Sequence, residues 1–286
     1  MIRQVLLVDP STASVRAEQL RRLGYHVWTC HTCETAWDYA QRRLPDAILI
    51  RSTLPAEDRS ELIAQIRFHL PTNSLALILE EAAPTAALTI EPDARLAPIT
   101  PHTALLEALA SALAQAERRR HHLIRSEVCW RLQSSPLVLE QFAQPLAHWT
   151  QQTGLSPFAA KQLVHAVREL CANAMEWGNH YQPDAPVDVV ARLDEEKVSV
   201  LIRDSGSGFD RQRLPHAARP GDPVSHLSIR AAANLREGGF GILMASGLVD
   251  QLAYNECGNE ALAVKYLPHS LTHPLRLGSS PLLASG

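Results

Sequence analysis

Three separated segments between residues 166 and 241 constrain this chain more than any other feature. The first pairs Glu169 with Asn173, a spacing that puts both side chains on one face of a helix, one turn apart. The second, Asp-Ser-Gly-Ser-Gly at residues 204–208, directly follows an apolar run, and the third, Gly-Gly-Phe-Gly at residues 238–241, directly precedes one. Glycines at a strand end and at a helix start permit close backbone approach to a phosphate or an adenine edge. Asp-x-Gly-x-Gly alone also occurs in plain turns, and Gly-Gly-x-Gly before a helix can be only a tight entry loop, so the combination is what predicts a nucleotide site.

In this order and spacing, the three segments resemble the N, G1 and G2 boxes of the ATPase superfamily that gyrase, the heat-shock chaperones and histidine kinases share. The resemblance to the anti-sigma-factor serine kinases is closer. Their pattern of an acid and an asparagine on a helix, a lid and a closing Lys-Tyr-Leu strand matches Glu169, Asn173 and Lys265-Tyr266-Leu267 here. The likeness covers roughly the second half of the chain and implies an α/β two-layer sandwich that binds ATP and Mg²⁺.

The resemblance also implies a role for each residue of the three segments. Glu169 is expected to act as general base toward an attacking hydroxyl or water, and Asn173 to offer an oxygen to Mg²⁺. Asp204 is expected to accept a hydrogen bond from the adenine amino group. The glycines are expected to bring the backbone close to the base or the phosphates, and these are Gly206, Gly208, Gly238, Gly239 and Gly241. The alternative for Glu169 is an exposed helix acid without catalytic function.

The activity implied by the resemblance is that of an ATP-dependent protein serine/threonine kinase of the anti-sigma type. Its expected partners are an anti-anti-sigma-like protein as substrate and a sigma factor, and a homodimer is compatible with it. A second hypothesis is an adaptor that binds ATP, and with it a sigma factor, without transferring phosphate. A third, a histidine kinase, would need a dimerising helical hairpin after the phosphoacceptor, whereas a predicted strand follows His121-His122 almost at once.

The first half of the chain alternates between strand-like and helix-like runs, which predicts a doubly wound parallel sheet in an α/β protein. Residues 45–51, Pro-Asp-Ala-Ile-Leu-Ile-Arg, together with Leu54-Pro55, resemble the central strand of a response-regulator receiver domain. In that family the position of Arg51 is the phosphorylated aspartate.

Every position that carries receiver chemistry is changed. Arg51 is a permanent cation and cannot accept a phosphoryl group as a carboxylate does. The acidic pair is reduced to Asp9, and a single aspartate beside an arginine is a poor Mg²⁺ site. Glu80 stands where the family has its switch hydroxyl, and Ala97 where it has a lysine. We predict a pseudo-receiver used for contact, with Arg51 salt-bridged to Asp9.

The predicted domains are a pseudo-receiver at 1–112, a solvated connector helix at 113–125, a histidine-kinase-like ATPase or anti-sigma kinase domain at 126–268 and a flexible tail at 269–286. Residues 209–237 are rich in proline, arginine and histidine, and a segment of this length inside a compact domain is usually a lid or functional loop.

Composition excludes several other classes of protein. A formal net charge of -3 gives no basic excess that would favour nucleic acid or an anionic membrane. Five cysteines without disulfide-rich spacing fit a reducing cytosol. The single Cys-x-x-Cys at residues 30–33 lacks the second pair that a structural zinc site needs. With no apolar run of membrane-spanning length, we expect a cytoplasmic protein.

Overall fold

The computed structural model describes residues 3–81, 86–208 and 240–268. Within these ranges the chain forms two sheets with helices packed on them. The strands are β1 (Gln4–Val8), β2 (His26–Cys30), β3 (Ala47–Ile50), β4 (Ala76–Glu80), β5 (Leu88–Ile90), β6 (Ala94–Leu96), β7 (Ser126–Leu132), β8 (Val187–Leu193), β9 (Lys197–Arg203), β10 (Gln251–Tyr254) and β11 (Glu260–Tyr266). The helices are α1 (Val15–Arg22), α2 (Cys33–Arg43), α3 (Ala56–Phe68), α4 (Leu70–Asn73), α5 (His102–His121), α6 (Pro136–Gln151), α7 (Pro157–Asn173) and α8 (Gly241–Leu248).

The first sheet is parallel, with the strand order β2-β1-β3-β4-β6. This is the doubly wound order found in flavodoxin and in receiver domains. Residues of β3 and β4 are buried throughout, as expected for strands covered on both faces. Helices α1 and α5 cover one face of the sheet, while α2 and α3 cover the other. The predicted receiver-like fold is confirmed.

The connection between β4 and β6 departs from the usual pattern. Adjacent parallel strands are normally joined through a helix, but the described part of this connection contains strand β5, which pairs antiparallel with β7 of the second sheet. Ile90 lies opposite Trp130 in this register. The predicted pseudo-receiver segment therefore supplies one strand of the second sheet. This strand was not predicted from the sequence.

The predicted boundary between residues 112 and 113 falls inside α5. The predicted connector helix at 113–125 is not solvated on all sides. Helix α5 continues through His121 and buries Leu113, Ala116 and Arg119. The reason is that these residues continue the stripe that Leu105 and Leu109 begin. His121 and His122 are exposed, as predicted. The division of the chain into domains stays a prediction.

The second sheet has the order β10-β11-β9-β8-β7-β5 and is antiparallel throughout. Its core side packs against α6, α7 and α8, with Trp130, Phe142 and Trp149 among the largest buried side chains. The predicted α/β two-layer sandwich is confirmed, and the pairs β8–β9 and β10–β11 are antiparallel within it.

The remaining predictions concern membrane-spanning segments and residues that the structure does not describe. No helix within the described ranges is long and apolar enough to cross a membrane. The predicted lid at 209–237, Gly238, Gly239 and the tail at 269–286 lie outside the described residues.

Candidate nucleotide site

Helix α7 carries the first pair of predicted site residues. It begins at Pro157 behind Ser156, whose hydroxyl accepts a hydrogen bond from the Ala159 amide. A Ser-Pro pair is typical of a helix start, with serine as the N-cap and proline at the first helical position. Because apolar residues recur at helical spacing, α7 buries one stripe against the sheet. Glu169 and Asn173 lie beside that stripe, partly exposed, as predicted.

Gly241 brings the third segment to the same place. It is the first residue of α8, and a Cβ added there would lie 3.1 Å from Glu169 Oε2 and 3.3 Å from Asn173 Nδ2. Any side chain at Gly241 would therefore crowd both of these groups. The amides at the start of α8 also come next to the Glu169–Asn173 pair, and the N-terminal end of a helix attracts negative charge.

Asn173 is the residue that fits a metal brought in by a nucleotide. Its Nδ2 is buried and has no hydrogen-bond partner among the described residues. Rotation of an amide group exchanges oxygen and nitrogen, so this end of the side chain can present an oxygen ligand. No group of three or more histidine, cysteine or acidic residues forms a metal cage in the described ranges. An amide oxygen at Asn173 is a ligand type that fits Mg²⁺, which keeps several waters and takes phosphate oxygens as further ligands.

Asp204 directly follows β9 and stands at the start of the second segment. Its Oδ1 accepts a hydrogen bond from the Gly206 amide at 2.8 Å. Burial raises the pKa of Asp204, while that hydrogen bond opposes the rise. The structure therefore holds a partly desolvated carboxylate with lone pairs to spare, which is a suitable acceptor for an amino group.

The two glycines of this segment pack closely against other parts of the backbone. A Cβ added at Gly206 would lie 2.4 Å from the carbonyl oxygen of Gly178. Gly208 has a φ of +78°, and a Cβ there would lie 1.8 Å from the carbonyl oxygen of Cys257. Glycine is thus required at both positions by contacts within the protein. The predicted passage of the adenine base along these residues is not tested by this geometry.

Sequence reasoning missed how the end of α7 meets this segment. One π-helical turn, Ala174–Gly178, continues α7, and such turns are frequent at functional sites. A Cβ added at Gly178 would lie 2.4 Å from Asp204 Cγ. Asn179 follows and is 3% exposed. The sequence signal is the Gly178-Asn179 pair, which by itself is typical of nothing more than a helix end.

The receiver-like half contains a closed ion cluster where the parallel strands end. Arg51 Nη1 lies 3.0 Å from Asp9 Oδ2, which confirms the predicted salt bridge. Arg51 Nε lies 2.5 Å from Glu80 Oε2, and Arg16 Nη2 lies 2.8 Å from Glu80 Oε1. Two carboxylates therefore face two guanidinium groups, and the cation at the phosphoacceptor position is already paired.

The two thiols of the Cys-x-x-Cys segment are free. Burial raises the pKa of Cys30, and it raises that of Cys33 to about 11. Because the thiolate is the reactive form of cysteine, burial disfavours that form at both positions. The expectation that this segment is not a zinc site stays a prediction.

Comparison with known families defines the class of the second half. Residues 132–265 match the family model described as the histidine kinase-like ATPase domain. Over these residues the chain is therefore similar to histidine kinase-like ATPase domains, and a receiver-like parallel sheet precedes them.

The relatives within that class are serine-protein kinases. The chain is 25% identical to serine-protein kinase RsbW of Oceanobacillus iheyensis over 115 residues, which are 40% of this chain and 70% of the relative. It is 28% identical to serine-protein kinase RsbW of Bacillus subtilis over 108 residues, 37% of this chain and 64% of that protein. Among solved structures it is similar to the signal receiver domain of an HD domain-containing protein from Pseudomonas fluorescens, with 25% identity, a TM-score of 0.38, and coverage of 43% of this chain and 96% of that one.

Proposed function

We propose that this chain is an ATP-dependent protein serine/threonine kinase of the anti-sigma type, whose substrate is an anti-anti-sigma-like protein. The observation that carries the proposal is the convergence of Glu169 and Asn173 on Gly241 at the start of α8. The ATPase domain and the two serine-protein kinase relatives support it. A sigma factor as second partner, a homodimer and a cytoplasmic location belong to the same proposal.

The residue types support a division of labour along the nucleotide. Asp204 accepts a hydrogen bond from the adenine amino group, which guanine lacks at that position. The amides at the start of α8, with Gly238, Gly239 and Gly241, bind the phosphates. Asn173 would hold Mg²⁺, which when bound neutralises charge on the phosphates.

Glu169 takes the role of general base in the transfer. Its carboxylate accepts the proton of the substrate hydroxyl as the hydroxyl oxygen forms its bond to the γ-phosphorus. The bond from that phosphorus to the bridging oxygen breaks, and ADP leaves. The products are ADP, a phosphorylated serine or threonine, and a proton on Glu169.

The receiver-like half is proposed to regulate the kinase through contacts, without being phosphorylated. Its cation Arg51 is held by Asp9 and Glu80, so the position that carries the phosphorylated aspartate in receivers is filled here by a paired guanidinium group. Strand β5 connects this half to the ATPase sheet.

An adaptor that binds ATP without transferring phosphate is the second candidate. It is favoured by one observation, namely that the receiver-like half keeps its fold although its phosphoacceptor is replaced by Arg51. Incubation of the protein with labelled ATP and candidate substrates encoded by neighbouring genes separates the two. The kinase predicts label on one substrate, whereas the adaptor predicts ATP binding without label. Absence of ATP binding contradicts both.

A further inference from the structure

Asn179 connects three segments that are distant in the sequence. It follows the π-helical turn at the end of α7, and its side chain is buried. Nδ2 donates to Ser134 Oγ at 3.0 Å and to the carbonyl oxygens of Ala185 at 2.8 Å and Pro186 at 3.1 Å. Oδ1 accepts a hydrogen bond from the Ser205 amide at 2.8 Å. Every polar atom of this side chain is therefore engaged.

The Ser205 contact fixes the segment that carries Asp204. Gly178 and Gly206 pack so closely that a Cβ on Gly206 would lie 2.4 Å from the Gly178 carbonyl oxygen. The Asp204 carboxylate in turn lies against the Cα of Gly178, where a Cβ would be 2.4 Å from its Oδ1. The buried side chain of Asn179 joins the backbone after Gly178 to the backbone before Gly206 through the Ser205 amide. Its bond to Ser205 is one residue from Asp204.

The side-chain amide of Asn179 lies between the two ends of the proposed nucleotide site. Glu169 and Asn173 lie on α7, and Asn179 ends the turn that continues this helix. Asp204 lies at the end of β9, on another element. The hydrogen bond from the Ser205 amide to Asn179 joins the end of the helix to the Asp204 segment. This contact therefore sets the distance between Asp204, the proposed acceptor for adenine, and the pair Glu169 and Asn173.

We infer that Asn179 is a positioning residue for adenine recognition, because its side-chain amide fixes Asp204 relative to the helix that carries Glu169 and Asn173. It does not touch the nucleotide itself. This inference rests on the proposed function, since it assigns Asn179 to the nucleotide site proposed there.

If Asn179 acts by positioning Asp204, then the effect of replacing Asn179 on ATP affinity should depend on Asp204. Without the amide, the Asp204 segment is no longer held in register, so Asn179→Ala should lower ATP affinity by roughly tenfold, within the range of couplings measured between interacting groups. GTP affinity should change little, because the proposed Asp204 contact favours adenine. Selectivity for ATP over GTP should therefore fall by the same factor.

The test is a double-mutant cycle on the full chain, with ATP and GTP binding measured by calorimetry. In the Asp204→Asn background, Asn179→Ala should have almost no further effect on ATP affinity. Additive losses, or equal losses for ATP and GTP, overturn the inference and leave Asn179 a merely structural residue. If Asn179→Ala does not fold, the cycle is run with Asn179→Ser, which keeps a small polar side chain.

Asn73 provides a matched control. It is also buried, at 1% exposure, and its amide also joins distant segments, with Oδ1 accepting from the Glu127 amide at 2.8 Å and Nδ2 donating to Ser126 Oγ at 3.1 Å. Asn73→Ala should lower stability while ATP selectivity stays unchanged. A wild-type protein that does not bind ATP contradicts the proposed function itself. A wild type that selects ATP, with an Asn179→Ala variant that selects it equally well, contradicts only the positioning role.

Discussion

Asp93 and Arg119 form an ion pair, with 2.6 Å between Oδ1 and Nη1, at the place where the two sheets meet. Asp93 lies between β5 of the second sheet and β6 of the first. Its Oδ2 also lies 2.8 Å from Arg67 Nη2 and accepts the Leu77 amide of β4 at 2.8 Å. Burial alone would raise the pKa of Asp93, but Arg67 and Arg119 outweigh it and hold the pKa below the usual range.

Asp93→Asn should therefore destabilise the whole chain. The change removes the carboxylate that neutralises two buried guanidinium groups, and breaking one partner of a buried ion pair typically costs about 3–5 kcal/mol. Urea unfolding followed by fluorescence measures the change. Asp38→Asn is the control, since Asp38 pairs with Arg42 on the exposed face of α2 and should matter little.

The same carboxylate predicts the direction of acid sensitivity. The pKa of Asp93 is lower in the folded than in the unfolded chain, so its contribution to stability is present above about pH 3.9, the ordinary aspartate value. It is lost as the pH falls through the folded pKa. In Asp93→Asn the free energy of unfolding should therefore change less with pH below about pH 3.9 than in the wild type. The same pH dependence in both proteins would contradict the contribution assigned to Asp93.

We predict that the receiver-like half does not respond to phosphodonors. Arg51 stands where an acceptor carboxylate is needed, and it is paired with Asp9 and Glu80. Treatment with acetyl phosphate and excess Mg²⁺ should leave the intact mass unchanged. A stable phosphoryl adduct located by peptide mapping within residues 1–112 would contradict this prediction.

Much of the fold could be predicted from local sequence patterns. The features that were not predicted depend on contacts between residues that are distant in the sequence. The Glu169–Asn173 face was predictable because helical spacing alone fixes it. Strand β5, residues 88–90, was missed because three residues carry no periodic signal and their partner β7 lies far along the chain. Asn179 was missed for the same reason, since Ser134 and Ser205 lie 45 and 26 residues away.

Asp204 should confer both adenine selectivity and a pH dependence on ATP binding. Asp204→Asn replaces a charged acceptor with a neutral one, which should cost on the order of 1.5–3 kcal/mol of binding free energy. Because burial raises the pKa of Asp204, ATP affinity should fall on acidification at a higher pH than an ordinary aspartate would give. Calorimetry on a pH series measures both effects.

Asp194→Asn provides the comparison for this experiment. Asp194 precedes β9 at the end opposite to Asp204, and it accepts hydrogen bonds from the Glu196 and Lys197 amides within its own turn. Its replacement should leave ATP affinity unchanged. Equal ATP affinity for Asp204→Asn and wild type, or equal wild-type affinity for ATP and GTP, would rule out the proposed adenine contact.

Glu169 distinguishes a kinase from an adaptor. A general base contacts the attacking hydroxyl, so Glu169→Gln should bind ATP nearly as well as wild type while phosphate transfer falls by roughly 10²–10⁴-fold, the usual contribution of a positioned base. Asn173→Ala should behave differently and lose Mg²⁺-dependent binding together with transfer. Single-turnover transfer from labelled ATP, measured beside calorimetric affinity, gives both quantities for each variant.

Glu140→Gln separates loss of the base from loss of a nearby charge. Glu140 contacts Arg168, the neighbour of Glu169 on α7, and its side chain is 66% exposed. Its replacement removes the carboxylate paired with Arg168 without altering the Glu169–Asn173–Gly241 contact, so transfer should continue at the wild-type rate. If Glu169→Gln transfers phosphate as fast as Glu140→Gln does, Glu169 is not the base. If wild type binds ATP tightly and no substrate candidate is labelled, the adaptor is the function that remains, because the nucleotide contacts are then present without a transfer step.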